Sequence, residues 1–256
     1  MLTIGYIGNG KSTNRYHLPF SLNRENLKVK TIYARNPDKG DWEKAHGILY
    51  TDELEMLMND EEIQLIVICT HIDSHYAYAK MALDHGKNVL VEKPFMPTKE
   101  EAVSIFQYAK EKNLVLQCYQ NRRYDSDFLT TKKVIESGKL GDLLEVEMHY
   151  DYYRPETPNS VTHYSKNNSY LYGHGVHTID QVLAYFGEPE YIHYDVRQLL
   201  GTGRMNDYFD LDFYYSTLKV YDDIYQAIMQ GKDKTIKDEE TIAVMEIIEN
   251  GIEGCS

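Results

Sequence analysis

The sequence has few cysteines and no long apolar run. Three cysteines, at positions 69, 118 and 255, are too few and too scattered to predict a disulfide framework or a zinc site, so we expect no metal and a reducing cytoplasm. No apolar run approaches the roughly 18 residues that a membrane-spanning helix needs, and the N-terminus lacks a charged-then-apolar signal pattern. We therefore expect a cytoplasmic protein with no membrane partner.

Basic residues are also in short supply. The chain has 27 Lys and Arg against 40 Asp and Glu, a formal net charge of -13 and a pI near 5.2. Such a surface cannot release counterions from a phosphate backbone, so nucleic acid is a poor partner and a small molecule is favoured. A length of 256 residues predicts two domains for an α/β sequence.

Apolar stretches of strand length alternate with segments of helical period through the first 120 residues. The stretches are apolar at consecutive positions, which is typical of parallel strands covered on both faces; they are 2–7, 29–33, 64–69, 88–91 and 115–118. Helical spacing follows over 73–85 and 98–112, and the second segment opens on Thr98 with Glu101 three residues later, a capping-box pattern. The alternation predicts a Rossmann-type doubly wound parallel sheet over 1–120.

The pattern changes after residue 120. The pattern of residues 125–137 predicts a helix. Apolar and polar side chains alternate over 143–153, which predicts a strand with one buried and one solvent-exposed face. The polar, turn-rich segment 155–168 predicts a loop at the mouth of a site. We therefore expect an α+β domain with a largely antiparallel open sheet over 121–256.

One junction in this second region is unusual. A strand pattern over 207–220 runs directly into a helical pattern over 221–228, with no turn residue between them. We expect that a segment is missing between Val220 and Tyr221. The two Cα atoms would then lie much farther apart than the ~3.8 Å of one peptide.

A glycine turn follows the first predicted strand and fits two phosphate-binding motifs. Gly8 and Gly10 are spaced as in a dinucleotide-binding turn, whose glycines let backbone amides approach a pyrophosphate. Gly5, with Gly10, Lys11 and Ser12, also matches a P-loop, which would make the protein a magnesium-dependent phosphotransferase.

The strand lengths favour the dinucleotide turn. A P-loop would leave only residues 1–4 for the strand before it, and the strand at 64–69 ends without a carboxylate to hold magnesium, although Glu92 ends the next one. The dinucleotide motif is itself incomplete, because Thr13 replaces its third glycine. The P-loop therefore stays open as the weaker alternative.

A Glu-Lys-Pro triplet at 92–94 ends a predicted strand, at the sheet edge where open α/β folds build their sites. Together with three further motifs, the triplet makes the chain resemble the Gfo/Idh/MocA oxidoreductases; these motifs are Cys69-Thr70-His71 with His75, the segment 120–125 and the segment 175–180. They occur in the family's order. The resemblance implies a Rossmann domain followed by a second domain with an open sheet and the substrate pocket, and it implies a cis bond near Pro94.

The resemblance also implies roles for single residues. A lysine beside a carboxylate and a bound nicotinamide can share a proton with a carbinol or carbonyl oxygen during hydride transfer, and Lys93 has this position in the family. The family histidine at His177 points toward the substrate, and a carboxylate four residues earlier commonly assists it. This chain has Gly173 there, so His174 or His177 would have to do the acid–base work. Asp180, one helical turn after His177, is expected to orient the substrate or the helix.

Cofactor preference depends on the end of the second predicted strand. Enzymes that prefer NAD(H) usually have an acid there, whereas this chain has Ala34 followed by Arg35. A guanidinium favours a 2′-phosphate, so NADP(H) is the preferred cofactor and NAD(H) the alternative, unless Arg35 only stacks on the adenine. The residues expected to bind the cofactor are Gly8, Gly10, Lys11, Ser12, Thr13, Arg35, Cys69, Thr70, His71, His75, Glu92, Lys93 and Asn121.

The sequence is less informative about the substrate. Tyrosines at 150, 152 and 153 suit a sugar or polyol, and the resemblance implies the same class, with a homodimer or homotetramer as the assembly. The expected substrate contacts are Lys93, Arg123, Tyr124, Tyr153, His174, His177 and Asp180. We thus expect an oxidoreductase acting on a sugar- or polyol-like alcohol or ketone. A non-catalytic NAD(P) sensor of the same fold is the alternative, because the usual acid is missing.

Overall fold

A six-stranded parallel sheet organises the first half of the computed structural model, which describes residues 1–38, 42–141, 143–158, 161–215, 227–233, 238–239 and 242–246. Its strands are β1 (Leu2–Ile7), β2 (Leu27–Tyr33), β3 (Leu49–Thr51), β4 (Leu65–Ile68), β5 (Asn88–Val91) and β6 (Leu116–Cys118). The strand order is β3-β2-β1-β4-β5-β6, and every pair is parallel. This is the predicted doubly wound sheet, with its direction of winding reversed between β1 and β4.

In the described part of the chain up to residue 215, six α-helices connect the strands and continue the chain. They are α1 (Leu18–Leu22), α2 (Leu54–Met58), α3 (His75–Asp84), α4 (Lys99–Glu111), α5 (Ser126–Glu136) and α6 (Val176–Phe186). Thr98 caps α4 as predicted, because its Oγ1 accepts a hydrogen bond from the Glu101 amide at 3.2 Å. Wider π-type turns at Thr13–His17 and Leu171–Gly175 lead into α1 and α6. Among the described residues, none of the helices could cross a bilayer, since each is too short or too polar.

Consecutive residues of the central strands pack on opposite faces of the sheet. Ile66 and Ile68 join the apolar cluster that contains Leu83 and Ile105 of α3 and α4, whereas Val67 joins a second cluster on the other face. Each fully buried Ile or Val contributes about 2 kcal/mol of transfer free energy. Burial on both faces explains why these strands are apolar at every position rather than at alternate ones.

Beyond residue 120 the described chain has two strands, β7 (Tyr191–Arg197) and β8 (Tyr208–Tyr214), which pair in a separate sheet. The predicted strand over 143–153 is wrong, because the described residues of that segment form no strand and Leu144 is 99% exposed. Alternation alone does not make a strand; the backbone also needs a partner to accept and donate its hydrogen bonds. The junction between Val220 and Tyr221 lies outside the described residues.

The chain divides into two compact units. The first comprises Met1–Gly187 with Asp195–Asp210, and the second comprises Glu188–Tyr194 and the described residues from Leu211 onward. All the site residues considered below belong to the first unit. The predicted domain boundary at residue 120 stays a prediction.

Candidate cofactor and substrate site

The glycine turn after β1 presses against the end of β4. Gly8 has a φ of +108°, and a Cβ at this position would lie 2.5 Å from the Cys69 carbonyl oxygen, so only glycine fits. The Gly8 amide donates to the Tyr33 carbonyl of β2 at 2.8 Å. The turn therefore lies at the carboxyl ends of β1, β2 and β4, where the sheet changes its winding direction.

The P-loop alternative is wrong. β1 continues through Ile7, which places Gly5 inside the strand rather than at the start of a phosphate loop. A Cβ on Gly5 would lie 2.8 Å from the Leu57 Cδ1 atom, so this glycine makes room for the core under α2. Glu92, the remaining candidate for a magnesium carboxylate, is buried and hydrogen-bonded to protein groups.

Thr13, in the place of a third glycine, closes the turn from inside. Its side chain is fully buried, and its hydroxyl donates to the Gly8 carbonyl at 2.7 Å. Gly10 has open space where a side chain would project, and Lys11 is exposed beside it. The Thr13 side chain therefore stabilises the conformation of the turn. Gly10 and Lys11 of this turn remain accessible to a cofactor.

A groove of about 220 Å³ runs along this edge of the sheet and is lined by Gly8, Asn9, Tyr33, Ala34, Arg35, Cys69, Thr70, His71 and Tyr78. It brings together five of the predicted cofactor residues, from three separate sequence motifs. Burial raises the pKa of the Cys69 thiol, which keeps this wall uncharged, while the exposed Arg35 adds a cation at the rim. A close-approach glycine, a neutral wall and a cation fit the pyrophosphate and ribose of a dinucleotide.

His75, another predicted cofactor residue, is enclosed by backbone. Its Nδ1 lies 3.1 Å from the Pro94 carbonyl oxygen and 3.0 Å from that of Phe95, and its Nε2 lies 3.1 Å from the Thr70 carbonyl oxygen. Burial lowers the pKa of the ring, and the neutral form can donate through only one nitrogen. His75 ties the start of α3 to the loop after β5, where the Lys93–Pro94 bond is cis as the resemblance implied. Its contact with a cofactor stays a prediction.

Glu92 is a buried carboxylate with both oxygens engaged. Its Oε1 lies 3.1 Å from His17 Nε2, and its Oε2 accepts the Lys93 backbone N–H at 2.9 Å. Burial acts to raise the pKa of Glu92, but the His17 hydrogen bond and the neighbouring Lys93 charge outweigh it and hold the pKa below its usual value. Glu92 is therefore ionised in the structure, and it faces protein groups.

Lys93 connects the end of β5 to the approach to α6. Its Nζ donates a hydrogen bond to the Gly173 carbonyl oxygen at 2.9 Å. Burial, opposed by the Glu92 charge, lowers the pKa of the amine, so Lys93 gives up a proton more readily than a surface lysine. Lys93 thus bonds to the backbone of residue 173, the position at which the resemblance implied a side-chain acid.

Two histidines lie near this amine. His177 begins the buried side of α6, and His174 in the preceding turn packs its ring 4.8 Å from Tyr152 and 5.3 Å from Tyr170. Burial, followed by the charge of Lys93, lowers the pKa of each ring to about 4. Both imidazoles are therefore neutral near pH 7 and can hydrogen-bond a hydroxyl or a carbonyl oxygen.

Three buried polar atoms in this region have no hydrogen-bond partner among the described residues: Gln120 Oε1, Arg122 Nε and His177 Nδ1. Buried polar atoms are normally paired, so an unpaired set beside a titratable amine is typical of a binding site. Arg122 also bonds Asp125 at 2.8 Å through its NH1 group and lies 5.4 Å from the Tyr150 ring centroid. Sequence reasoning did not select Gln120 or Arg122, although both lie in the motif at 120–125.

Other predicted substrate residues have different surroundings. Arg123 and Asp180 form a two-bond ion pair, with both N–O distances 2.7 Å, which fastens the turn Asn121–Tyr124 to α6. Gln181 strengthens the same junction by donating to the Arg122 carbonyl at 2.9 Å. Tyr124 is 76% exposed and Tyr153 is 96% exposed. Substrate contacts by these four predicted residues stay predictions.

Comparison with known proteins identifies the relatives of this arrangement. The family model for the oxidoreductase family, NAD-binding Rossmann fold, matches residues 2–120 of this chain. The family model for the Gfo/Idh/MocA C-terminal domain matches residues 128–240. The chain belongs to the Gfo/Idh/MocA oxidoreductase family. The expected family and its NAD-binding Rossmann domain are thereby confirmed.

Individual Gfo/Idh/MocA relatives match most of this chain. The uncharacterized oxidoreductase YhhX of Escherichia coli is 46% identical over 86% of this chain, which covers 64% of that protein. The scyllo-inositol 2-dehydrogenase (NADP(+)) IolW of Bacillus subtilis is 32% identical over 90% of this chain, covering 62% of that protein. A crystal structure of the probable oxidoreductase YhhX matches with a TM-score of 0.79 and 34% identity over 99% of this chain and 97% of that one. The chain thus spans less than two thirds of the length of these curated relatives.

Proposed function

We propose that the protein catalyses hydride transfer between NADP(H), or less readily NAD(H), and a sugar- or polyol-like alcohol or ketone. The observation that carries this proposal is the half-buried amine of Lys93, 2.9 Å from the Gly173 carbonyl oxygen and at the carboxyl end of a strand in an NAD-binding domain. Because its pKa is lowered by partial burial, this lysine gives up a proton more readily than a surface lysine, as a general acid–base group must.

Lys93 handles the proton in the proposed reaction. When an alcohol is oxidised, its hydroxyl proton passes to the neutral amine of Lys93 while its carbon loses a hydride; reduction of the ketone reverses both transfers. The nicotinamide supplies the hydride chemistry when bound. The Gly173 carbonyl holds the amine in one direction and, having no proton to exchange, leaves the acid–base step to Lys93.

His177 orients the substrate oxygen. A ring with a pKa of about 4 is a weak base near pH 7, so its contribution is a hydrogen bond from the neutral imidazole rather than proton abstraction. Its Nδ1, which has no partner among the described residues, is free to make this bond. Loss of the ring would then affect substrate binding and turnover together.

The cofactor preference and the substrate class rest on two further observations. Arg35 stands at the rim of the groove without an adjacent acid at the end of β2, which favours a 2′-phosphate. IolW, a relative 32% identical, is named a scyllo-inositol 2-dehydrogenase (NADP(+)), which supports a polyol substrate and the phosphorylated cofactor.

Cofactor binding is the first test. We expect NADPH to quench or enhance protein fluorescence with saturation in the micromolar range, and NADH to bind more weakly. No binding of either nucleotide at high micromolar concentration would overturn the proposal.

A panel of inositols, aldoses and sugar alcohols tests the chemistry. We expect Lys93→Met to lower kcat on the best substrate by about 100-fold or more while leaving NADPH affinity near that of the parent. Lys132→Met, which removes an exposed amine on α5, is the matched control and leaves turnover unchanged. Equal turnover by Lys93→Met and the parent would contradict the role of Lys93.

The absence of a carboxylate at Gly173 favours a second candidate, a non-catalytic NAD(P) sensor of the same fold. The same panel separates the two. A parent protein that binds NADPH but reduces or oxidises no member of the panel would favour the sensor.

A further inference from the structure

His17 occupies a closed position between the glycine turn and Lys93. It ends the π-type turn Thr13–His17, and the residue is 4% exposed. Its ring lies 3.9 Å from the Tyr119 ring centroid at 32°, and 6.1 Å from that of Tyr6 at 72°. Two aromatic rings therefore fix the plane of the imidazole, and Nε2 points at one oxygen of Glu92.

The contact with His17 stabilises the ionised form of the buried Glu92 carboxylate. A buried carboxylate without donors would take up a proton, because burial favours the neutral form. Here one oxygen faces His17 and the other accepts the Lys93 amide, so the carboxyl plane is held at both ends. The Glu92 charge in turn raises the pKa of the Lys93 amine against the effect of burial.

We infer that His17 is a positioning residue for Lys93: through Glu92 it holds the charge and the backbone that set the direction and proton affinity of the amine. The inference concerns the same site as the function proposed above. Only the expected effect of His17 on turnover rests on that proposed function. His17 lies 75 residues from Glu92 in the sequence, and none of the motifs recognised in the sequence assigns it a role.

The surroundings of Glu92 single out His17 as its side-chain donor. The titratable and charged groups that face Glu92 or Lys93 come from several neighbouring elements; they are His17, Cys69, His75, Cys118, Tyr119, Arg122, His174 and His177. Asp125 and Asp180 interact with Tyr119 and Cys118 of this set and are themselves paired with arginines. Of this set, His17 is the side chain in the described structure that hydrogen-bonds the Glu92 carboxylate.

The proton affinity of Lys93 can be measured without turnover. Reductive ¹³C-methylation of the lysines followed by NMR titration reports each amine, and the signal missing from Lys93→Gln identifies Lys93. We expect His17→Phe, which keeps a ring but removes the donor, to lower the pKa of Lys93, because Glu92 then protonates more easily and its charge no longer supports the ammonium. His17→Gln, which can still donate to Glu92, is expected to restore most of the parent value.

Turnover gives the second readout. We expect His17→Phe to lower kcat by on the order of tenfold, with a smaller change in KM and in NADPH affinity, because Lys93 is misdirected rather than removed. His85→Phe is the matched control: its ring is exposed at the end of α3, at the sheet edge opposite the site, and neither readout should move.

The outcomes separate this inference from the proposed function. An unchanged Lys93 titration in His17→Phe overturns the positioning role, whatever the turnover. A shifted titration with no turnover by the parent on any substrate leaves the positioning role standing and removes the proposed function. If His17→Phe does not fold, Glu92→Gln, which keeps the shape and removes the charge, takes its place; it must also lower the pKa of Lys93, and a parent-like titration would overturn the inference.

Discussion

The two halves of the candidate site are held by different forces. On the first side, the glycine turn and Lys93 extend from β1, β4 and β5, whose side chains are enclosed by apolar clusters on both faces of the sheet. On the second side, the residues of α6 that are buried are His177 and Gln181, both polar. In the described part of the chain, the buried apolar side chains after residue 120 are only Val161 and Met205.

The two sides of the site are therefore positioned in different ways. The first side is positioned by a packed core, so its geometry is set by the folding of the Rossmann sheet. The second side is fastened to it by a few polar bonds, chiefly Lys93 to Gly173, Arg123 to Asp180 and Gln181 to the Arg122 carbonyl. Changes that disrupt the packing of the first side should therefore disturb folding and binding together, whereas loss of a single polar bond on the second side should cost little stability.

The largest expected effect is that of Gly8→Ala. The left-handed φ of +108° and a backbone oxygen 2.5 Å from the new Cβ should lower the free energy of unfolding by at least about 2 kcal/mol and abolish NADPH binding. Urea unfolding and a fluorescence titration measure the two effects. Gly86→Ala, also left-handed but with nothing within 4 Å, isolates the cost of φ and should be milder. Equal effects of the two variants would show that the contact with the Cys69 carbonyl oxygen adds nothing to the cost of the left-handed φ.

The second-largest effect is expected from acidification, which should lower the free energy of unfolding through two histidines of the second side. His174 and His177 have pKa values lowered from 6.5 to about 4. Between these two pH values the two rings are protonated in the unfolded chain but neutral in the folded chain. Their stabilising contribution is complete above pH 6.5 and is lost as the pH falls toward 4. Urea unfolding at pH 7.5 and 4.5 should show a smaller difference for the His174→Gln, His177→Gln double variant than for the parent. A difference as large as that of the parent would contradict neutral buried rings.

A selective effect on the cofactor is expected for Arg35→Ser. Removing the guanidinium at the rim should weaken NADPH binding by about tenfold and leave NADH binding nearly unchanged, because only the former has a 2′-phosphate. Paired titrations with both nucleotides check it, and Arg24→Ser, an exposed arginine after α1, controls for the loss of one positive charge. Equal weakening of both nucleotides would mean that Arg35 stacks on the adenine instead.

The smallest effect is expected for Arg123→Lys. A half-exposed arginine that loses its two-bond geometry with Asp180 should cost about 0.5–1 kcal/mol in the free energy of unfolding, with a cofactor affinity like that of the parent. A fall in kcat/KM that corresponds to much more than this free energy would show that Arg123 contacts the substrate, as the sequence predicted. The ion pair would then serve substrate binding as well as stability.

The sequence predicts the first side better than the second for physical reasons. β1 and β5 are found at their predicted bounds because burial on both faces leaves a continuous apolar run in the sequence. β3, only three residues long and partly exposed, leaves no such run and is missed. The predicted strand over 143–153 is wrong because alternation is a local property, whereas a strand requires a partner elsewhere in the chain.

The site shows the same division between local and distant information. Gly8, Arg35, Thr70 and His71 line one groove, as motifs at strand ends predict. The contact of His17 with Glu92 joins residues from separate elements, and the orphaned Nε of Arg122 depends on packing, so neither has a local signal. Tertiary contacts between distant residues are what a single sequence leaves open.

The hydrogen bond from Lys93 to Gly173 also bears on how substitutions in this region are tolerated. A side-chain acid at position 173 would be lost by one codon change, whereas a main-chain oxygen is supplied by any amino acid there. Nothing lies within 4 Å of the point where a side chain on Gly173 would begin, so small replacements can enter without displacing that oxygen. The acceptor for the Lys93 amine is therefore encoded by the path of the chain, and it is robust to mutation at its own position.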